Sequence, residues 1–547
     1  MVKKVLLVCI LLLAFMSFSS QSADNPVIWA DVPDVSTIRV GDTYYMSSTT
    51  MHMSPGLPIM KSKDLVNWEI AGYAYDRLVE NGKMNLNNGQ DAYGKGSWAS
   101  SLRYHNGTFY AATFSATSGK THVYSTTDIE NGPWEAHSFA PVLHDNSLFF
   151  DDDGRVYMIY GGGEISLIEL NADASGIKSG GIHKVIIDNV NMAFGEHEVG
   201  GLPGEGSQMH KINGKYYLFH IASPKSRWAR SVIIHRADNI EGHYESRVAL
   251  DFAQIAQGGL VDTPNGDWYA MLFGDRGAVG RIPYLVPVRW QDGWPVLGEN
   301  GEVPSSLALP DNQNGIRGIV ASDEFERRAG EPALPKVWQW NHNPDNAHWE
   351  IITNPGRLRL TTSRVDNTVL SAKNTLTQRT FGPRSSATTS VNVAHMKDGD
   401  VAGLIALQNK YGYVGVKAGS NGQKSVVMVR SSLGLDDEEN KRGTVAVNQL
   451  SESYDTLASV PVTQEHVFLR VDTDFTSDTA LFYYSLDGQQ WHKIGEPLPM
   501  LYTFTKHFMG YRYGLFNYAT KDAGGYVDFD YFRIGESVHA LFAAVNH

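Results

Sequence analysis

Five times in its first 275 residues the chain repeats one local pattern: a strand, a tight turn, and a second strand that opens on an aromatic pair or a close variant. The turns are Gly41-Asp42, Asn106-Gly107, Asp153-Gly154, Asn213-Gly214 and Asn265-Gly266, and the strands after them begin with Tyr44-Tyr45, Phe109-Tyr110, Val156-Tyr157, Tyr216-Tyr217 and Trp268-Tyr269. Asn-Gly and Asp-Gly between such strands are strong hairpin signals. A hairpin unit recurring every 47 to 65 residues points to a propeller of four-stranded blades, here five of them. A sandwich with coincidental turns is the competing reading, and the near-equal offsets within the repeats argue against it. Asp34 lies eight residues before its turn, and Trp98, Asp145, Glu205 and Gln257 lie nine before theirs. In a propeller the first strand of each blade lines the central channel, so these five side chains converge. Three of them are acidic, and carboxylates gathered on one axis suit acid/base work on a neutral substrate.

The chain has 547 residues, 42% hydrophobic and 19% charged, enough for two to four globular domains. A net charge of −13 argues against nucleic acid and anionic membranes as partners. Residues 1–23 read as a secretion signal: Lys3 and Lys4, an apolar stretch from Val5 to Phe18, then small and polar residues. Cys9, the only cysteine, leaves with that segment, so the mature protein has no disulfide and no thiolate metal site. No later run is apolar for 18 residues, so no membrane insertion is expected after cleavage. Residues 24–305 are expected to form the propeller and 306–320, with Pro310 and several Gly and Asn, a linker. Residues 321–538, where the repeat stops and strand-like runs such as Arg357 to Thr361 and Tyr526 to Phe532 take over, are expected to form an antiparallel β-sandwich. The fold class is therefore all-β.

Ordered motifs add a family resemblance. Asn25-Pro26-Val27-Ile28 with Asp31-Val32-Pro33-Asp34, Ile38 to Tyr45, and Ser62 to Trp68 resemble the opening of glycoside hydrolase family 43. Trp98-Ala99 before Leu102-Arg103-Tyr104, Ser147-Leu148-Phe149 before the Asp151 to Gly154 turn, Glu205-Gly206, and Leu260 to Pro264 resemble its later signatures. The resemblance implies a five-bladed propeller and inverting hydrolysis of arabinosides and xylosides. It implies Asp34 as general base, Glu205 as general acid and Asp145 as modulator of the acid's pKa. The C-terminal part is similar to the concanavalin-A-like sandwich found in relatives with xylosidase or arabinofuranosidase activity. The implied protein is an exo-acting enzyme that removes terminal α-L-arabinofuranosyl units from hemicellulose side chains, and the N-terminal signal points to secretion, with the bacterial periplasm as the expected location. β-Xylosidase or dual activity is the alternative, and a non-catalytic sugar-binding propeller is a third reading that leaves the three acids unexplained. Its partners would be arabinose- or xylose-containing oligosaccharides, and its chemistry would need no cofactor.

Other positions carry weaker expectations. Trp98 either stacks on a sugar face or fills the channel, and Arg281 matches a family arginine that contacts sugar hydroxyls near the base. Gln257 stands where many members have a histidine that supports a central metal, which puts an axial calcium in doubt; its amide still serves to bind a water or substrate. Val35 and Ser100-Ser101 also depart from the family pattern. Met51, His52 and Met53, and the group Glu196, His197 and Glu198, are placed near the pocket or its entrance, with packing and a solvated loop as the plainer readings. Asp151-Asp152-Asp153-Gly154 resembles half a calcium loop but lacks the later bidentate Glu and reads as a hairpin turn. Asp323, with Asp528 or Asp530, is expected to hold a structural calcium in the sandwich, as related sandwiches do.

Overall fold

The computed structural model describes residues 22–536 apart from 199, 252, 313–315, 434–443, 446–452 and 504–505. The signal expected over 1–23 lies almost wholly outside the described residues. Five four-stranded antiparallel sheets follow one another in the chain. Their innermost strands are Ser36–Val40, Ser101–His105, Ser147–Phe150, Glu205–Ile212 and Ile255–Asp262, and each contacts its neighbours around a ring. We number the blades 1 to 5 in this order.

The repeated aromatic pair explains why the blades stack. Successive residues of a strand point to opposite faces. In every blade the first residue of the pair packs toward the preceding blade and the second toward the following one. Tyr45 and Phe109 meet between blades 1 and 2, with ring centroids 5.5 Å apart. Tyr110 and Val156 pack between blades 2 and 3, and Tyr157 and Tyr216 between blades 3 and 4. Tyr217 and Trp268 pack between blades 4 and 5, and Tyr269 and Tyr44 close the ring between blades 5 and 1. One dipeptide per repeat thus supplies both sides of every seam. The ring is fastened further by Arg39 of blade 1, which pairs with Asp262 of blade 5, and by Ala23–Asp24, which pairs antiparallel with Ser306–Leu307. Residues 306–312 and 316–320 are therefore laid against the propeller, with Ile319 and Val320 buried and Gly318 O accepting from Ile70 N.

From Gln339 onward two large sheets face each other. One sheet runs, in spatial order, Ser453–Val462, Lys424–Ser432, Gly412–Ala418, Asp400–Leu407, Arg512–Ala519, Leu376–Arg379 and Gln339–Asn341. Its last neighbour is Met53–Ser54, a piece of the propeller that pairs with Asn341 and Trp340. The two domains therefore share a sheet, and one apolar core runs from Ile28 and Val32 through Trp338 and Trp340 to Phe529. Met51 and Met53 belong to this junction, buried against Met509. They do not line the pocket, so packing is their role.

The expected calcium in the sandwich is not supported by its aspartates. Asp323 takes both ends of the Arg327 guanidinium, at 2.8 and 2.7 Å, together with Phe325 N and Trp338 Nε1. Asp528 is bound bidentately by Arg359 at 2.7 and 2.9 Å. Asp530 faces Arg357 and accepts from Ser390 Oγ. Each carboxylate already has its own cation, and fork-shaped arginine pairing fills the lone pairs a calcium would need. Treatment with a chelator is accordingly expected to leave the melting temperature within about 1 °C, a shift corresponding to well under 1 kcal/mol; calorimetry with and without chelator checks it. The Asp151 segment is a hairpin turn, with Gly154 N donating to Asp151 O and the Asp151 carboxylate bound to Lys211 and Tyr216.

Candidate active site

All five equivalent positions line one cavity at the top of the propeller, together with His144, Arg230, Arg281 and Phe508. Each stands at or near the start of an innermost strand, where the chain turns into the channel. Asp34, Asp145 and Gln257 have φ of 54°, 48° and 60°, in the left-handed region. Non-glycine residues held there cost about 1–3 kcal/mol each and tend to mark functional sites. Glu205 is followed by Gly206 at φ 72°, and the space a Cβ would need there is taken by Gln257, whose Cγ would lie 2.5 Å away. Gln257 thus packs across the base of the Glu205 strand.

Asp34 is buried. Its Oδ1 accepts from Arg281 Nη1 at 2.8 Å, and its Oδ2 is buried with no hydrogen-bond partner. Arg281 is fixed in turn: its backbone N donates to Asp31 Oδ1 at 2.8 Å, Nη2 donates to Phe508 O at 3.3 Å, and the guanidinium lies 4.3 Å over the Phe508 ring. Asp34 is thereby orientated, with one oxygen left to accept a proton.

Across the cavity, His144 Nε2 lies 3.0 Å from Glu205 Oε2 and 3.9 Å from Asp145 Oδ2. Burial alone would strip the imidazole of its proton, but Asp145, then Glu205 and Asp34, outweigh burial and raise it to about 9. Burial pushes the Asp145 carboxyl up to about 7; Glu205 and Asp34 push the same way and His144 opposes them. Three carboxylates, Asp34, Asp145 and Glu205, thus share the cavity with Arg281, His144 and Arg230, of which Arg281 pairs with Asp34 and His144 with Glu205.

Trp98 forms a wall and packs against Phe508 with ring centroids 5.0 Å apart. Its indole Nε1 has no partner. Phe508 belongs to the sandwich, so the second domain supplies part of the pocket. His144, Arg230 and Phe508 were not anticipated; only the adjacency of His144 to Asp145 was visible in the sequence. Glu196 and Glu198 do not reach the cavity. Glu196 accepts from Lys225 N and Ser226 N, and Glu198 pairs with Lys225, so they tie two rim loops together.

Below the pocket, Arg103 of blade 2 reaches toward the axis. It donates to Ser147 Oγ of blade 3 at 2.8 Å and to Met209 O of blade 4 at 3.2 Å. A fixed guanidinium there opposes the binding of a cation on the axis, in keeping with the glutamine at 257.

Comparison with known proteins agrees with this architecture. The model of glycosyl hydrolases family 43 matches residues 23–295, and that of the beta-xylosidase C-terminal concanavalin A-like domain matches residues 322–535. A beta-xylosidase of Formosa agariphila is 28% identical, covering 93% of this chain and 89% of that protein. A non-reducing end alpha-L-arabinofuranosidase of Bacteroides ovatus is 28% identical, covering 77% of this chain and 80% of that protein. A solved structure described as a bifunctional GH43-CE protein of Bacteroides eggerthii is 54% identical with a TM-score of 0.88, covering 94% of this chain. The present chain spans 64% of the length of that protein. With a five-bladed propeller, three convergent carboxylates and the matching second domain, the chain belongs to glycosyl hydrolase family 43 and is a glycosidase.

Proposed function

We propose that the protein is a secreted, inverting, exo-acting α-L-arabinofuranosidase that releases terminal arabinofuranosyl units from hemicellulose side chains. The observation that carries this reading is the pairing of Asp34 and Glu205 on opposite sides of a cavity closed on one side by Phe508 of the sandwich. Such a cavity admits a chain end rather than a chain middle. Asp34 Oδ2 takes a proton from water, which attacks the anomeric carbon. Glu205, gripped at Oε2 by His144, gives its proton to the glycosidic oxygen as that bond breaks. These are the two tasks an oxocarbenium-like transition state requires of a pair of carboxyl groups. Asp145, buried beside His144 and the acid, is the modulator of the acid's environment. Arg281 holds the base and presents donors near the sugar, and Trp98 offers it an apolar face.

β-Xylosidase, alone or alongside the arabinofuranosidase activity, is the second reading, favoured by the name of the Formosa agariphila relative. Initial rates on aryl α-L-arabinofuranoside and aryl β-D-xyloside decide between them. Proton NMR of the first-formed sugar tests the mechanism: the inverted anomer is expected, and the retained anomer would refute it. The Asp145 proton also sets a pH profile. Burial keeps a proton on Asp145 below about 7, and as pH rises through about 7 that proton leaves and adds a negative charge to the site. The expected result is a kcat/KM that declines on the alkaline side of neutrality, and a profile flat from pH 6 to about 9 would count against the assignment.

A further inference from the structure

The sandwich closes the pocket from one side only. Its Phe508 and Met509 lie against Trp98, Met51 and Arg281, which belong to blades 1, 2 and 5. The opposite wall is His144, Leu202, Glu205 and Arg230, all from blades 3 and 4. Glu205 protonates the leaving oxygen, so the departing part of the substrate has to cross the rim on this side.

Chain direction places one loop there. Glu205 pairs with Ile221, so the end of Lys215–Ala222 lies on the Glu205 face, and residues 223–230 cross that face before Ser231–Ala237 descends. Trp228 sits in this loop and is 55% exposed, more than any other large apolar side chain among the described residues. Its ring lies against Gly201, where a Cβ would stand 3.3 Å from Cε3 and Cζ3. Gly201 adjoins Leu202, and Arg230, two residues beyond Trp228, is buried in the pocket wall.

The loop is built rather than loose. Ala229 N donates to Ser223 Oγ at 3.0 Å, Ser223 N donates to Leu202 O at 3.0 Å, and Arg227 is paired with Asp251. A Cβ on Gly200 would come within 1.8 Å of Ser223 O, so the two rim loops touch backbone to backbone. Trp228 makes no ring–ring or cation–π contact among the described residues. A rigidly mounted indole with an open face is costly to leave in water and well suited to the apolar C–H face of a sugar.

We propose that Trp228 is the platform of a leaving-group subsite that stacks the neutral sugar unit on the far side of the scissile bond. The proposal rests on the exo-glycosidase reading of the pocket. It makes this enzyme one that prefers sugars attached to an oligosaccharide over isolated glycosides.

The test compares Trp228→Ala and Trp228→Phe with the unsubstituted protein on two substrates. One is an arabino- or xylo-oligosaccharide. The other is the matching glycosyl fluoride, whose leaving group is a single atom and cannot stack. Trp228→Ala is expected to lower kcat/KM about tenfold more on the oligosaccharide than on the fluoride, chiefly through KM, and Trp228→Phe to recover most of that loss. Equal losses on both substrates, or no loss on either, overturn the proposal. Should the unsubstituted protein hydrolyse neither, the exo-glycosidase reading fails by itself. Calorimetric titration of the same oligosaccharide into Glu205→Gln, with and without Trp228→Ala, then still decides the subsite: weaker binding in the double variant supports it and unchanged binding overturns it.

Discussion

Asp34→Asn is expected to lower kcat/KM by about 10²–10⁴-fold on every substrate alike, the usual weight of a general base or acid. Glu205→Gln is expected to cost as much on natural glycosides but far less on glycosides of acidic phenols, which depart without a proton. The contrast follows from the positions of the two groups. Asp34 Oδ2 is the buried oxygen with no partner, so its proton acceptance is needed whatever leaves. Glu205 acts only on the leaving oxygen, so its loss scales with how much help that oxygen needs. Asp34→Asn also breaks the buried pair with Arg281 at 2.8 Å and leaves that guanidinium without its partner. Removing one member of a buried pair destabilises by about 3–5 kcal/mol, so rates have to be read well below the variant's melting temperature. If both variants lose the same factor on phenolic and natural glycosides, the division of roles between Asp34 and Glu205 is wrong.

The repeats made the propeller legible because each carried its own evidence: a turn with obligatory residue types, and an aromatic pair whose two members serve opposite seams. The ring of five followed from counting, since equivalent positions in a cyclic fold converge whatever residue occupies them. His144, Arg230 and Phe508 were hidden for the converse reason. None sits at a repeated position, and Phe508 reaches the pocket from a domain more than 470 residues along the chain from Asp34. The calcium expectation finds no support, and the reason is strand pairing. Asp528 lies directly opposite Arg359 in the register of Gly356–Thr361 against Tyr526–Gly535. Sequence spacing alone could not show that an arginine 169 residues away would meet that aspartate first. The same limit applied to Met51, His52 and Met53. Their proximity to the site was legible, but the sheet that Met53 and Ser54 join is formed with Trp340 and Asn341 of the other domain.

Acidification from pH 7 to 5 is expected to weaken the junction between the two domains, through three histidines. His52 of the propeller and His342 and His507 of the sandwich are fully buried. The His52 ring lies 4.5 Å from His342 and 5.2 Å from His507, and Tyr93 packs against all three. His52 Nε2 meets Asn341 Oδ1 at 3.0 Å, and His342 Nε2 accepts from Ala92 N at 3.0 Å. His52 Nδ1, His342 Nδ1 and both nitrogens of His507 have no partner. The charged groups that bear on them are Arg512 and Lys373, both cations, and the one contact that favours a proton is the hydrogen bond between His52 and Asn341, which burial outweighs. Burial pushes His507 down to about 3, with Arg512 adding to it, and drives His52 and His342 well below the ordinary histidine value. In the unfolded chain all three take up protons near 6.5. Between the two values the unfolded state binds more protons, so stability is complete above about 6.5 and falls as pH drops. For His507 alone the loss at pH 5 is about 2 kcal/mol, and the other two act in the same direction. Scanning calorimetry from pH 7.5 to 5 measures it, with His507→Leu as comparison, because that substitution removes two nitrogens that bond to nothing. The variant is expected to lose less stability on acidification than the parent; parallel curves would show that the triad is silent. Since His507 adjoins Phe508, the same loss is expected to reach the pocket, with KM rising in acid before the fold gives way.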